Sequence, residues 1–314
     1  ALPPPNADAL TPPSADAQSV IIKMLNQEYP SEELLSYFRR EYEIARIVSG
    51  NGTLQVYDLI KYKNTLAIVM EDIHGVSLSQ VIRSAALNLS EKFSLAIKIA
   101  HSLSLIHKKQ ILHKNITPSN IIWNRETDRL EIIDFGIAAE LKREMTHKMQ
   151  YGFMEGTPAY LSPEQTGRIN RPVDNRSDLY SLGVTLYELF TGQLPFTGED
   201  ESEVIYNHIA RKPEPPHLIN KNIPETVSNI LLKLLAKDGE DRYQMASGLQ
   251  KDLELCLENF LFNGDIVPFD IGRYDISDQL SIPNKLYGRQ EDLERLKVLF
   301  NDVAVGSSAI IMIE

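Results

Sequence analysis

One stretch constrains the fold of this chain more than any other: Ile111 to Gly136, ILHKNITPSNIIWNRETDRLEIIDFG. It holds two mainly apolar runs, Ile121-Ile122-Trp123 and Leu130-Glu131-Ile132-Ile133, separated by the polar residues Asn124 to Arg129. Short β-prone runs around a polar turn predict a hairpin. A polar clause flanks each run. His113-Lys114-Asn115-Ile116-Thr117-Pro118-Ser119-Asn120 enters the first, and Asp134-Phe135-Gly136 leaves the second. The two outer ends of a hairpin are neighbours, so pairing would bring the Asn120 amide beside the Asp134 carboxylate. Two oxygen donors placed together suit a hard cation such as Mg²⁺, which also takes substrate phosphates.

Composition narrows the setting. The 314 residues allow one large or two small domains, and 43% hydrophobic with 24% charged residues is the balance of a soluble globular protein. A net charge of -11 argues against a general nucleic-acid binder, which needs a basic face. Cys256 is the one cysteine, so no internal disulfide can form; it falls in a helical pattern and is expected to be packed there. With no signal-peptide pattern, this points to a reducing, cytoplasmic setting. No apolar run approaches the roughly eighteen residues of a transmembrane segment. The seven histidines show no metal-ligand spacing.

In chain order, residues 1–18 form a Pro-rich lead-in, and the chain opens without Met, as a processed or cut start would. Ser19 to Met24 reads as a buried strand carrying one charge, Lys23. Ser31 to Val48 reads as a helix, with Ser31 as cap and Glu32 and Glu33 in its first turn. Leu34, Phe38, Ala45 and Val48 share a face with Glu41, and a carboxylate on an apolar stripe needs a partner. Gly50-Asn51-Gly52 reads as a turn. Val56 to Tyr62 and Thr65 to Met70 form a second strand pair. Helices are expected at Ser77–Ala86, Ser90–His107, Asp178–Thr191, Glu203–Arg211, Val227–Lys237 and Met245–Phe262. An irregular run, Asn263 to Lys285, precedes a helix from about Leu286 to Val303 and an apolar strand, Ala309 to Ile313.

The opening stretch resembles the catalytic core of a protein kinase, where H-R-D-x-x-x-x-N is followed by D-F-G. Asn120 and Asp134 match the two metal-holding positions. The family's catalytic aspartate falls on Asn115, its arginine on Lys114, and the lysine two residues further on Thr117. Val20-Ile21-Ile22-Lys23 is similar to V-A-I-K, and Gly156-Thr157-Pro158-Ala159-Tyr160-Leu161-Ser162-Pro163-Glu164 to G-T-x-x-Y-x-A-P-E. The resemblance covers about Val20 to Phe260. It implies an α+β, bilobal kinase fold with a small β-rich N-lobe and a larger helical C-lobe. It further implies that Lys23 holds ATP phosphates and pairs with Glu41. Met70 matches the gatekeeper, and Glu71, Asp72 and Ile73 match the hinge whose backbone binds adenine, their carboxylates facing solvent. Asp178 would cap the catalytic loop, and Arg242 would pair with Glu164. The implied cofactors are ATP and Mg²⁺.

Two departures carry weight. The first glycine in the chain is Gly50, so no Gly-rich loop precedes Lys23 to cover the phosphates. Asn115 can orient a hydroxyl but cannot accept its proton. Thr146 and Tyr151 lie where activation-segment phosphorylation occurs, but Lys114 lacks the arginine fork that grips phosphate, so weak control by phosphorylation is expected. The favoured reading is a serine/threonine-kinase-like pseudokinase that binds Mg-ATP. The alternatives are a slow serine/threonine phosphotransferase and a scaffold that binds no nucleotide. The residues after 286 resemble the entry to an AAA/STAND-type P-loop ATPase module, though no Gly-Lys pair occurs in the chain. On this resemblance the kinase-like domain spans 19–262, a linker 263–285 and the start of the ATPase module 286–314. GTPAYLSPEQTGRINRP and KLYGRQEDLERL are similar to large, mainly bacterial signalling proteins joining a kinase-like domain, an ATPase module, a GAF sensor and a histidine kinase. The expected partners are ATP and a protein substrate or downstream domains of the same polypeptide.

Overall fold

The structure, a computed structural model, describes residues 19–50, 52–84, 87–144, 155–169, 171–276 and 290–304. The Pro-rich lead-in, Thr146, Tyr151 and the strand expected at Ala309–Ile313 lie outside these residues.

The chain builds a small lobe first. Strands β1 (Val20–Met24), β2 (Val56–Tyr62) and β3 (Thr65–Glu71) form an antiparallel sheet in the order β1-β3-β2. Helix α1 (Glu32–Val48) enters through Ser31, whose hydroxyl accepts from Leu34 N at 3.2 Å, while Glu32 and Glu33 face its positive end. Its buried face is Phe38, Glu41, Ile44, Ala45 and Val48, the stripe read from the sequence with Ile44 added and Leu34 only half-buried. The expectation of a buried first strand is corrected. Strand β1 is an edge, with Val20 43%, Ile22 54% and Met24 48% exposed. An apolar run reads the same on an edge as in a sheet centre, and here β3 is its one neighbour among the described residues.

The larger lobe is helical. After β4 (Val76–Ser77) and α2 (Leu78–Ser84), helix α3 (Leu89–Lys108) starts at a capping box in which Asn88 and Glu91 satisfy each other's backbone amides. Strands β5 (Ile111–Leu112), β6 (Ile121–Asn124), β7 (Arg129–Ile132) and β8 (Ala139–Glu140) and the short helix α4 (Leu141–Glu144) carry the central motifs. Helix α5 (Asn175–Thr191) is buried along most of its length. It ends at Gly192, which takes a left-handed φ of 79°. Helices α6 (Glu201–Ala210), α7 (Pro216–Ile219), α8 (Glu225–Leu234) and α9 (Ala246–Asn263) complete the lobe. Phe93 of α3, fully buried, meets Phe190 of α5 edge to face at 5.5 Å. Ile44, Ala45 and Val48 of α1 join the same apolar cluster, so the two lobes share a core. Cys256 is buried within it, and burial pushes its thiol up to about 12, far from a reactive thiolate.

Gly52, beyond the end of α1, also joins the lobes. Gly52 has φ of 76°, and a Cβ on it would lie 2.6 Å from Ser102 Cα on α3. Its carbonyl accepts from Ile132 N at 3.0 Å, tying the end of α1 to β7. Beyond α9, within the stretch expected to be a linker, Ile266 is buried. Asp275 then accepts from Gln244 N and Met245 N at 2.6 and 2.9 Å, capping α9 from outside. The first unit ends at Ile276; a second, from Ser277, contains helix α10 (Gln290–Ala304). Among the described residues, no helix is long and apolar enough to cross a membrane.

Candidate functional site

The hairpin forms with Ile121 opposite Ile132, and Ile133 N donates to Asn120 O at 2.9 Å. It delivers Asn120 and Asp134 side by side, as the sequence pattern requires. Asp134 has φ of 71°, a left-handed conformation that turns its side chain back toward the small lobe. There Lys23 Nζ donates to Asp134 Oδ1 at 2.6 Å and also pairs with Glu41. The helix carboxylate has thus found the strand lysine. Burial pushes the Glu41 carboxyl up, against the pull of Lys23. For Lys23, burial acts downward but is outweighed by its two carboxylates, which hold the ammonium above its ordinary value. One cation between two anions leaves a net negative charge next to Asn120. Asn120 Nδ2 donates to Asn115 O at 3.0 Å, which leaves its Oδ1 as an acceptor for a cation.

A cavity of about 420 Å³ opens beside this cluster. Ile21, Ile68, Met70, Ile73 and Ile122 line its apolar end, and Lys23, Asn120 and Asp134 its polar end. Such a cavity suits a flat apolar ring with an anionic tail. Met70, Asp72 and Ile73 line it as predicted; Glu71 does not, and its expected solvent-facing carboxylate is a correction. Arg129 of β7 grips that carboxylate bidentately at 2.5 and 2.9 Å, and holds it below its ordinary range. Asp72 accepts from His74 N at 2.7 Å, and Ile73 O accepts from buried Asn124 at 2.6 Å.

The loop before β6 is fixed from beneath. Buried Asp178 accepts from His113 N at 2.9 Å and Lys114 N at 2.7 Å, the capping role predicted for it. His113 is buried, and burial holds its imidazole below its ordinary value, hence neutral. Its Nε2 bonds to Ile133 O at 3.0 Å, while Nδ1 accepts from Asn115 N at 3.3 Å. Its ring meets Phe135 edge-on at 4.9 Å, so one side chain fixes both polar clauses.

Asn115 sits where these contacts place it, with Oδ1 accepting from the Thr157 hydroxyl at 3.0 Å. Lys114, nearly buried, reaches Glu155 at 2.6 Å and Glu144 at 3.0 Å, one on each flank of the segment between α4 and Gly156. Gln165 Nε2 donates to Lys114 O at 2.8 Å. Arg242 clamps Glu164 bidentately at 2.7 and 3.0 Å, as predicted. Sequence reasoning missed Thr157, Glu144, Glu155 and Arg129 as partners. Thr157 lies within the quoted GTPAY clause; no local signal marks the other three.

The protein kinase domain model matches residues 13–253. The chain belongs to the protein kinase family. A probable serine/threonine-protein kinase of Clostridium perfringens is 34% identical over 237 residues, 75% of this chain and 34% of that protein. The serine/threonine-protein kinase PrkC of Bacillus subtilis is 31% identical over 245 residues, 77% of this chain and 37% of its own length. The hybrid signal transduction histidine kinase G of Dictyostelium discoideum is 41% identical over 181 residues, 51% of this chain and 5% of that protein. The kinase domain here spans about a third of the length of the two bacterial relatives. Its bilobal fold is that of the family, with the small sheet and α1 as N-lobe and the helices from α2 to α9 as C-lobe.

Proposed function

We propose that this kinase domain binds Mg-ATP and acts as a signalling pseudokinase, with phosphoryl transfer impaired at Asn115. One observation carries the reading. The Lys23, Glu41, Asn120 and Asp134 set is assembled, whereas the residue at the base position is an amide, which accepts a hydrogen bond from Thr157 but cannot take up a proton. Lys23, oriented by Glu41, would hold the phosphates, and the backbone from Glu71 to Ile73 would receive adenine. Asn120 and Asp134 would hold Mg²⁺, which neutralises charge on the phosphates. Asn115 offers a substrate hydroxyl no proton acceptor. Losing general-base work costs about 10²–10⁴-fold in rate, or roughly 3–5 kcal/mol of barrier. Thr117 adds no positive charge near the γ-phosphate.

The anchored segment from Glu155 to Gln165 favours a second reading, a slow serine/threonine phosphotransferase, because substrate positioning survives without a base. A scaffold that binds no nucleotide would have no use for an assembled Lys23 cluster. In this proposal the domain works in the cytoplasm as part of a longer signalling protein. Residues 286–314 open an ATPase-type module, and the outputs are downstream domains of the same polypeptide or a protein substrate. The Dictyostelium relative, a hybrid signal transduction histidine kinase, supports that setting.

Calorimetric titration with Mg-ATP, using Asp134→Asn as control, tests the reading. Saturable binding lost in the control supports it; no binding to the intact chain leaves the scaffold. A phosphotransfer assay then separates the pseudokinase from the slow enzyme.

A further inference from the structure

Arg129 lies outside the cluster that would touch the phosphates, yet it joins the two lobes at the other end of the cavity. Its guanidinium forks onto Glu71, the last residue of β3, at 2.5 and 2.9 Å, and its Nε donates to Glu131 at 2.8 Å. Glu71 is held on two further sides. Gln55 N reaches its carboxylate at 3.3 Å, and its own amide donates to Gln55 O at 2.9 Å. Glu131 is nearly buried, and its second oxygen has no partner among the described residues. One guanidinium therefore bridges a small-lobe carboxylate and a buried large-lobe carboxylate. Asp72 and Ile73, which line the cavity, follow Glu71 directly. Arg129 opens β7, and Asp134 lies two residues beyond the end of that strand.

We propose that Arg129 is a positioning residue for the nucleoside: through its fork on Glu71 it fixes the backbone that faces the base, and through β7 it registers that backbone against Asp134. The proposal rests on the nucleotide-binding reading above and assigns Arg129 no contact with the ligand. A fork fixes both distance and plane of a carboxylate, whereas an ammonium fixes distance alone. The bond should therefore matter for adenosine and for Mg-ATP alike, and not for a ligand confined to the Lys23 end.

The experiment is calorimetric titration of the intact chain and of Arg129→Gln, Arg129→Lys and Glu71→Gln with adenosine, Mg-ATP and Mg-tripolyphosphate. All titrations are run well below each variant's Tm. Arg129→Gln is expected to weaken adenosine and Mg-ATP by the same factor, roughly tenfold, and to leave Mg-tripolyphosphate unchanged. Arg129→Lys, which keeps the charge and should fold, is expected to lose roughly threefold on the same two ligands. Adding Glu71→Gln to Arg129→Gln should cost little more, because the two act through one bond. Equal losses on all three ligands would mean general loosening of the fold and would overturn the proposal. So would unchanged adenosine affinity in both Arg129 variants. If the intact chain binds neither adenosine nor Mg-ATP, the nucleotide reading itself falls and takes this one with it. If the intact chain binds and the Arg129 variants match it, only the present proposal falls.

Discussion

On the proposed reading, the two ends of the cleft are built from different elements and carry different chemistry. At the nucleotide end, β1, α1 and the β6–β7 hairpin bring together Lys23, Glu41, Asn120 and Asp134, each side chain paired with another or with backbone. At the acceptor end, the loop from His113 to Asn120 and the segment from Glu155 hold Asn115, Lys114 and Thr157 with equal care. In that reading the acceptor end is ordered, but the amide of Asn115 cannot take a proton. Order and reactivity are thus separable within one site. An assembled cleft argues for ligand binding and says less about turnover.

The largest test of that contrast is Asn115→Asp. It should raise phosphotransfer by about 10²–10⁴-fold, with Mg-ATP affinity unchanged, measured by ADP release and calorimetry on the same protein. A folded variant with no gain in rate would show that the acceptor end lacks more than a base. Next, Lys23→Met should weaken Mg-ATP by roughly tenfold or more, since a charge-assisted contact to phosphate is lost. Its fold should survive, because burial raises the Glu41 carboxyl and, without the opposing pull of Lys23, Glu41 can take up a proton. Undiminished affinity would break the assignment of the two ends.

Lys114→Met should act on the acceptor end alone. Removing a nearly buried ammonium with two partners should cost about 1–3 kcal/mol. Glu155 is half exposed and can rehydrate, which keeps the effect in that range. Faster amide exchange at 155–165 with unchanged Mg-ATP affinity is the expected result; a change in affinity would show that the ends are coupled.

The last test concerns pH and stability, and touches neither end. Lys237 donates to His208 O at 2.7 Å, and burial, with the Arg242 charge nearby, holds its ammonium down to about 7 from 10.5. Above pH 7 the folded chain gives up this proton while the unfolded chain keeps it until about 10.5. The unfolded state then binds more protons, so stability rises with pH across that window. Denaturant midpoints from pH 7 to 10 should climb, and Lys237→Met should flatten the climb. On the acid side His113, neutral through burial, should cost stability as pH falls through 6.5.

Much of this was legible in the sequence. The hairpin rests on local periodicity, which a single chain displays, while the capping of the loop by Asp178 and the Arg242–Glu164 clamp were implied by the kinase resemblance. Glu41 announced its need for a partner by sitting on an apolar stripe. The rest depends on chain segments meeting across long separations. Arg129 and Glu71 are 58 residues apart, and Lys114 and Glu155 are 41 apart, with nothing in either neighbourhood to mark the other. The amide at Asn115 is plain in the sequence. That its oxygen accepts from Thr157 needed coordinates.

Strand β1 has a practical consequence for anyone measuring affinity. Among the described residues, Lys23 rides on the edge of the small sheet, paired on one side, with apolar side chains in solvent around it. Bare edges recruit strands. Titrations of this chain are therefore best repeated across protein concentrations, because anything that zips onto Val20–Met24, including another copy, would stiffen the lysine proposed to hold the phosphates.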